Sequence, residues 1–317
     1  MKQKICLLII AALPLITKAQ TDADAIMMSK NVLCSGVMYQ HNSWDEYWEG
    51  TFKRNNENLG TVSTNMIGVM GNYGISHNLN VLFNVPYLQT KASDGVMGGL
   101  QGIQDLSMWI KWRPVHQKMG TGKLSIYALG GFSVPTNDYV ADYLPFSIGL
   151  KSKTLNGRIM VDYENSSFFA TASGTYSYRS NIELDRNAYY TTELHLTNEV
   201  HMPDVAQVGL RTGYRSRYLI AEAMINNMTT LGGFDIRKND MPFPSNKMNA
   251  TSAGVAFKYT PKYYHHFSLV GNAGYVLNGR NVGQSLTYGA GIFYAFNVTG
   301  KGRKMGKKNY TPPPAMN

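Results

Sequence analysis

The chain is short of cysteine. Of its 317 residues only Cys6 and Cys34 are cysteines, and Cys6 falls in an N-terminal stretch that reads as removable. That leaves Cys34 alone, which excludes an internal disulfide framework. Cys34 lies too far from the apolar N-terminal run to carry a lipid, and reads as a small buried residue. After that run no stretch approaches about 18 consecutive apolar residues, so no transmembrane helix is expected. There is no glycine-rich phosphate loop, no two-cysteine metal pair and no His-Glu-x-x-His, so no metal or other cofactor is expected. Charged residues make up only 16%, and the formal net charge of +10 belongs to the ends. Lys2, Lys4 and Lys18 lie before residue 20, and Lys301, Arg303, Lys304, Lys307 and Lys308 after residue 299. The intervening chain is close to neutral, so no nucleic-acid partner is expected.

The N-terminus is built like a secretory signal. Two lysines precede an apolar run over 6–16, too short to span a bilayer, and Thr17-Lys18-Ala19 supplies a small-residue cleavage site before Gln20. Residues 1–19 are therefore read as a signal peptide cleaved near Ala19, 20–299 as one β-domain, and 300–317 as a basic, proline-rich tail. Pro312, Pro313 and Pro314 cannot join a ladder, so that tail is expected to be disordered in the periplasm, where its charge offers contact with an anionic partner.

What the body does have is period-two alternation. Over 284–298 the even positions carry Leu286, Tyr288, Ala290, Ile292, Tyr294, Phe296 and Val298, and the odd ones mostly small or polar residues. One face is oily and the other is not, the signature of a β-strand. Related patterns occur over 32–40, 60–75, 79–90, 106–113, 124–133, 154–164, 168–179, 206–215, 219–228, 248–259 and 267–277. This makes about 12 strands, an even number, each long enough to cross a bilayer at a tilt. Connections near 76–78, 164–167, 215–217 and 261–264 are short, whereas 41–59, 92–100, 135–153, 181–202 and 233–247 are long. Residues 115–120 and 279–283 blur this rule. Alternation of short and long connections fits an all-β, antiparallel, up-and-down transmembrane barrel with both termini in the periplasm, and a soluble sandwich has no reason to show it. The expected location is the outer membrane of a Gram-negative cell.

Two residue sets follow from the alternation. Tyr73, Tyr87, Trp112, Tyr163, Tyr176, Tyr178, Tyr214, Tyr259, Tyr294 and Phe296 point outward near strand ends and read as membrane girdles in contact with outer-membrane lipid. Lys111, Arg113, Arg158, Arg179, Arg211, Arg215 and Lys258 point inward with Asp162, Glu164 and Glu222, and read as lumen-lining. Their confinement to one phase supports the barrel, because a midplane Arg or Lys facing lipid costs roughly 2–4 kcal/mol. Seven cations against three acids leave two readings open. One is a positive filter favouring anions, with Arg211 and Arg215 as its leading members. The other is a lumen closed by ion pairs.

No catalytic group is expected. His41 and Ser43 share a strand face beside Asp45 and Glu46, but lack an identifiable oxyanion hole. His195 and His201 share a long connection with Glu193, Glu199 and Asp204, a pattern that reads as a solvated loop. His265 and His266 are adjacent, so on a strand they face opposite ways.

Residues 72–90, NYGISHNLNVLFNVPYLQT, and 98–114, GGLQGIQDLSMWIKWRP, resemble the MetA-pathway phenol-degradation family of barrels. The family's turn-strand-Pro-Tyr pattern and its glycine-rich loop before Asp-Leu are both present, with Gln104 where a glycine is usual. The Lys18-Ala19-Gln20 junction is similar to those of exported Bacteroidetes proteins. The resemblance implies an outer-membrane, porin-like channel or transporter taking a small hydrophobic or aromatic solute. The alternatives are a non-conducting structural or interaction barrel and, third, a lipid-modifying enzyme.

Overall fold

The structure is a computed structural model that describes residues 21–237 and 240–298. The signal peptide and the basic tail expected from the sequence lie outside the described residues. Twelve long strands carry the fold: β1 Val32–Trp44, β2 Val62–Gly74, β3 Leu79–Ala92, β4 Leu106–Met119, β5 Gly122–Val134, β6 Thr154–Asn165, β7 Phe168–Arg179, β8 Val205–Arg215, β9 Leu219–Thr230, β10 Asn249–Tyr259, β11 Phe267–Arg280 and β12 Leu286–Asn297. Each pairs antiparallel with its sequence neighbours. β1 closes on β12 in a register running from Val32 opposite Asn297 to Ser43 opposite Leu286. Closure leaves no strand edge unpaired, which the hydrocarbon phase requires. The expected closing strand and all eleven others are present.

The alternation becomes an inside and an outside. On β12, Leu286, Tyr288, Ile292, Tyr294 and Phe296 are exposed on the outer wall, whereas Phe293 and Ala295 are buried inside. Cys34 is buried as expected, packed in the lumen with Met28, Val32, Phe293 and Ala295. On the inner wall Gly131 gives room to an aromatic ring, since a Cβ there would lie 2.3 Å from the Trp109 indole.

The two connections that blurred the length rule have physical explanations. Residues 115–119 continue β4 past a register shift between Trp112 and Val115, so the turn is only Gly120-Thr121. Gly120 has φ +60°, a conformation glycine adopts without strain. The β11–β12 connection is short, but the β1–β2 loop folds over it: the Trp48 N–H donates to Val282 O (2.9 Å) and the Gln284 N–H to Glu46 O (2.7 Å). At the long-loop end, connections β5–β6, β7–β8 and β9–β10 share an apolar cluster that includes Ala141, Ile182, Tyr189, Met202 and Phe243. Asn281 ties three loops together. Its Oδ1 accepts from the Gly50 N–H (2.7 Å) and the Ile236 N–H (3.1 Å), and its Nδ2 donates to Asp235 Oδ1 (2.7 Å) and Lys247 O (2.6 Å).

Candidate functional site

The inward side chains meet a segment of the chain itself. Residues 21–31 enter the lumen from the short-turn end before β1 begins. This strap turns at residues 22–25 and belongs to no sheet, so its backbone carbonyls need donors from elsewhere. The barrel wall supplies them for five in succession. Lys111 Nζ donates to Thr21 O (2.5 Å) and Asp24 O (2.8 Å), Arg158 Nη1 to Asp22 O (2.9 Å), Arg211 Nη1 to Ala23 O (2.7 Å), and Tyr127 Oη to Ala25 O (2.8 Å). The strap's two carboxylates join in. Asp24 pairs with Lys111 at 3.2 Å and Asp22 with Arg158 at 2.9 Å. The Lys111 side chain has no solvent exposure at all, so its ammonium depends on these acceptors.

Apolar side chains seat the rest of the strap. Ala25 and Met27 pack with Tyr127, Leu129, Met160 and Trp109, and Met28 with Cys34 and Phe293. At the exit, the Asn31 N–H donates to Gly74 O at 2.7 Å. A Cβ on Gly74 would lie 2.2 Å from Ser29 O, so only glycine lets β2 approach the strap this closely. Cavities of about 270, 260 and 240 Å³ flank the strap, and each has strap residues in its wall.

The remaining inward residues fall into separate groups. Arg215 pairs with Asp162 (3.2 Å) and Glu164 (2.9 Å) and lies 3.9 Å above the Phe169 ring. Thr171 Oγ1 donates to Asp162 Oδ1 at 2.6 Å. Arg211 pairs with Glu222 at 2.7 Å. The expectation that Arg211 and Arg215 stand unpaired as a filter is therefore corrected: nearby acids hold both. Arg113 donates to His77 O and Asn78 Oδ1 at the short-turn end. Lys258 is buried in the wall. Arg179 lies at the opposite, long-loop end of its strand, away from the strap. Of the expected girdle residues, Tyr87, Trp112, Tyr163, Tyr176, Tyr178, Tyr214, Tyr259, Tyr294 and Phe296 are exposed on the outer wall, and Tyr73 is half-buried.

The residues weighed for catalysis or metal binding are not assembled. His41 Nδ1 is 2.8 Å from Asn65 Oδ1, and its ring lies against Tyr288. His195 and His201 hydrogen-bond to Thr191 and Asn181. Among the described residues no group of His, Cys, Asp or Glu is placed to share a metal.

The strap was missed in the sequence because it has neither periodicity nor a motif. Its one signal was charge. The inward cations outnumber the inward acids, and Asp22 and Asp24, at the start of the described residues, supply part of the missing counter-charge.

Known proteins bear out the architecture. The family described as "Putative MetA-pathway of phenol degradation" matches residues 38–217, more than half of the chain. A search of curated protein sequences finds no match. Among solved structures, the COG4313 outer membrane channel from Pseudomonas putida F1 superposes with a TM-score of 0.70 at 13% identity, over 88% of this chain and all of that one. The translocator domain of the autotransporter NalP from Neisseria meningitidis gives 0.46 at 10% identity, over 87% of this chain and 90% of that one. The first likeness is one of fold, a closed 12-stranded antiparallel barrel.

Proposed function

Since the chain belongs to the family described as putative MetA-pathway of phenol degradation, we propose that it is an outer-membrane channel for a small solute, closed at rest by its own N-terminal strap. The observation that carries this reading is the strap itself. Five successive carbonyls and two carboxylates are held by wall side chains rather than by a ladder. Such contacts can be exchanged for water or solute without breaking the barrel. A segment seated mainly by side chains can leave its seat without opening a ladder, and gating needs such an element.

The solute is proposed to be hydrophobic or aromatic. The family's description supports this. The competing reading is a non-conducting barrel that serves as a structural or interaction element. The internal ion pairs favour it, since Arg215 and Arg211 are both engaged by acids.

Single-channel recording in a planar bilayer separates the two. Lys111→Met removes the strap's central anchor and leaves Asp24 facing a closed wall. Breaking a buried pair from one side costs about 3 kcal/mol or more. A bias of that size raises the strap-released population roughly a hundredfold. The channel reading expects rare openings in the wild type and frequent ones in the variant. Silence in both, with the barrel folded, supports the structural reading.

A further inference from the structure

At the long-loop end, connections β7–β8 and β9–β10 enclose a chamber of about 470 Å³, lined in part by Arg179, Tyr189, His195, His201, Asp204 and Phe234. This falls in the range of ligand sites, roughly 300–1,000 Å³. We propose that this chamber binds a small carboxylate with a flat apolar body, with the Arg179 guanidinium taking the carboxylate and the aromatic side chains taking the ring. The assignment rests on the channel reading for its purpose, because it places a capture site at the solute's entrance. Its chemistry rests on the chamber alone.

The first observation is an orphan. Arg179 Nη1 is closed off from solvent and has no hydrogen-bond partner. An unmatched guanidinium nitrogen in such a place is costly. The adjacent acid does not satisfy it. Asp204 accepts instead from the Tyr176 hydroxyl and from the Arg179 backbone N–H at 3.0 Å. The Tyr176 hydroxyl is also the chief reason that the Asp204 carboxyl stays below its usual range. Arg179 is in no ion pair among the described residues, unlike Arg158, Arg211 and Arg215. A planar fork of donors matches a carboxylate with two parallel bonds, which a point charge does not.

The second observation is the aromatic side of the chamber. Tyr189 is stacked on His195 with ring centroids 4.7 Å apart and planes 15° from parallel, and on Phe243 at 5.3 Å. The Tyr189 hydroxyl donates to Glu199 O at 3.1 Å, and His195 Nε2 is held by Thr191 Oγ1 at 2.8 Å. Tyr189 is covered by His195 and Phe243 and serves to fix His195, whose ring lines the chamber before a ligand arrives, so laying an apolar body against His195 costs little further ordering. Asp204 carries negative charge into the same chamber. Recognition therefore depends on the geometry of the fork, not on a strong positive field, and a simple anion without a ring gains little.

The test uses full-length protein in detergent, with benzoate as the probe and binding read by calorimetry. Benzyl alcohol removes the charge and acetate removes the ring. The wild type should bind benzoate, with benzyl alcohol and acetate each at least tenfold weaker. Arg179→Gln should weaken benzoate at least tenfold and leave benzyl alcohol unchanged, and Arg179→Lys should recover only part of the loss. His195→Ala should weaken benzoate several-fold, and Lys111→Met should leave it unchanged. Heat-modifiable migration shows that each variant is folded. The proposal is overturned if folded wild type does not hold benzoate, if Arg179→Gln binds it as well as wild type, or if benzyl alcohol binds as tightly as benzoate. Benzoate held without conductance removes the channel reading and keeps the chamber; conductance without benzoate binding does the reverse.

Discussion

Replacing Arg215 with Met should destabilise the barrel by about 3–5 kcal/mol, the range for breaking a buried ion pair from one side. The Arg215 and Asp162 side chains are 5% and 4% exposed, so neither charge can recover its solvation from water. The guanidinium reaches both Asp162 oxygens, at 3.2 and 3.3 Å, as well as Glu164 Oε2 at 2.9 Å. Methionine fills much of the stem's volume and stays on the Phe169 ring, which limits the loss to electrostatics. Asp162 is then left buried with Thr171 as its remaining close donor, whereas Glu164, whose side chain is 32% exposed, can turn to water. The assay is reversible urea unfolding in lipid vesicles, followed by heat-modifiable migration. Adding Asp162→Asn and Glu164→Gln to Arg215→Met should return most of the lost stability, because no unpaired charge remains. The reasoning is refuted if Arg215→Met costs less than about 1 kcal/mol, or if the triple variant is as unstable as the single, against the cost expected of an uncompensated buried charge. The first result would mean that water reaches the triad; the second, that the loss is one of packing and not of unpaired charge.

Asn281→Ala removes four hydrogen bonds that join three loops and places alanine at φ 52°; amide exchange in 233–247 should quicken by roughly a hundredfold, as about 3 kcal/mol of local stability would give. Gly74→Ala drives a Cβ toward Ser29 O, and should raise open probability in planar bilayers while the barrel stays heat-modifiable. Asp235 lies in the same loop system, with its carboxyl held below the usual range chiefly by the Arg280 guanidinium. A depressed folded value means that its contribution is fully present above the unfolded value of about 3.9 and is lost as pH falls through the folded one. Loop exchange, corrected for intrinsic rate, should therefore be flat from about pH 7 to 5 and rise below about pH 4, and Asp235→Asn should abolish that rise.

The wall was legible because its physics is local. Each crossing strand must turn an apolar face to lipid, so Leu286, Tyr288 and Ile292 alternate with mostly small inward residues whatever the rest of the chain does. The inward facing of Lys111 and Arg158 followed from the same count. Their partners did not. Asp24 lies 87 residues along the chain from Lys111, and Asp22 lies 136 from Arg158. Both acids sit in a stretch with no period, and only a surplus of inward cations hinted at them. The filter assigned to Arg211 and Arg215 failed for a related reason. Face is a property of one strand, whereas pairing depends on register across several, as when Arg215 of β8 reaches Asp162 and Glu164 of β6. The loop cap was equally hidden, because Asn281 gains its role from three loops far apart in sequence.

Whether the strap leaves its seat when current flows is measured most directly by thiol accessibility at Ala25, which is 4% exposed in the lumen. In a Cys34→Ala background, Ala25→Cys is recorded in a planar bilayer while a membrane-impermeant maleimide is added. The account predicts no modification while the channel is closed, modification in proportion to time spent open, and faster modification when Lys111→Met is added. Sustained current through the Ala25→Cys channel with the introduced thiol still unmodified would contradict it, because solute would then be passing a strap that never moved.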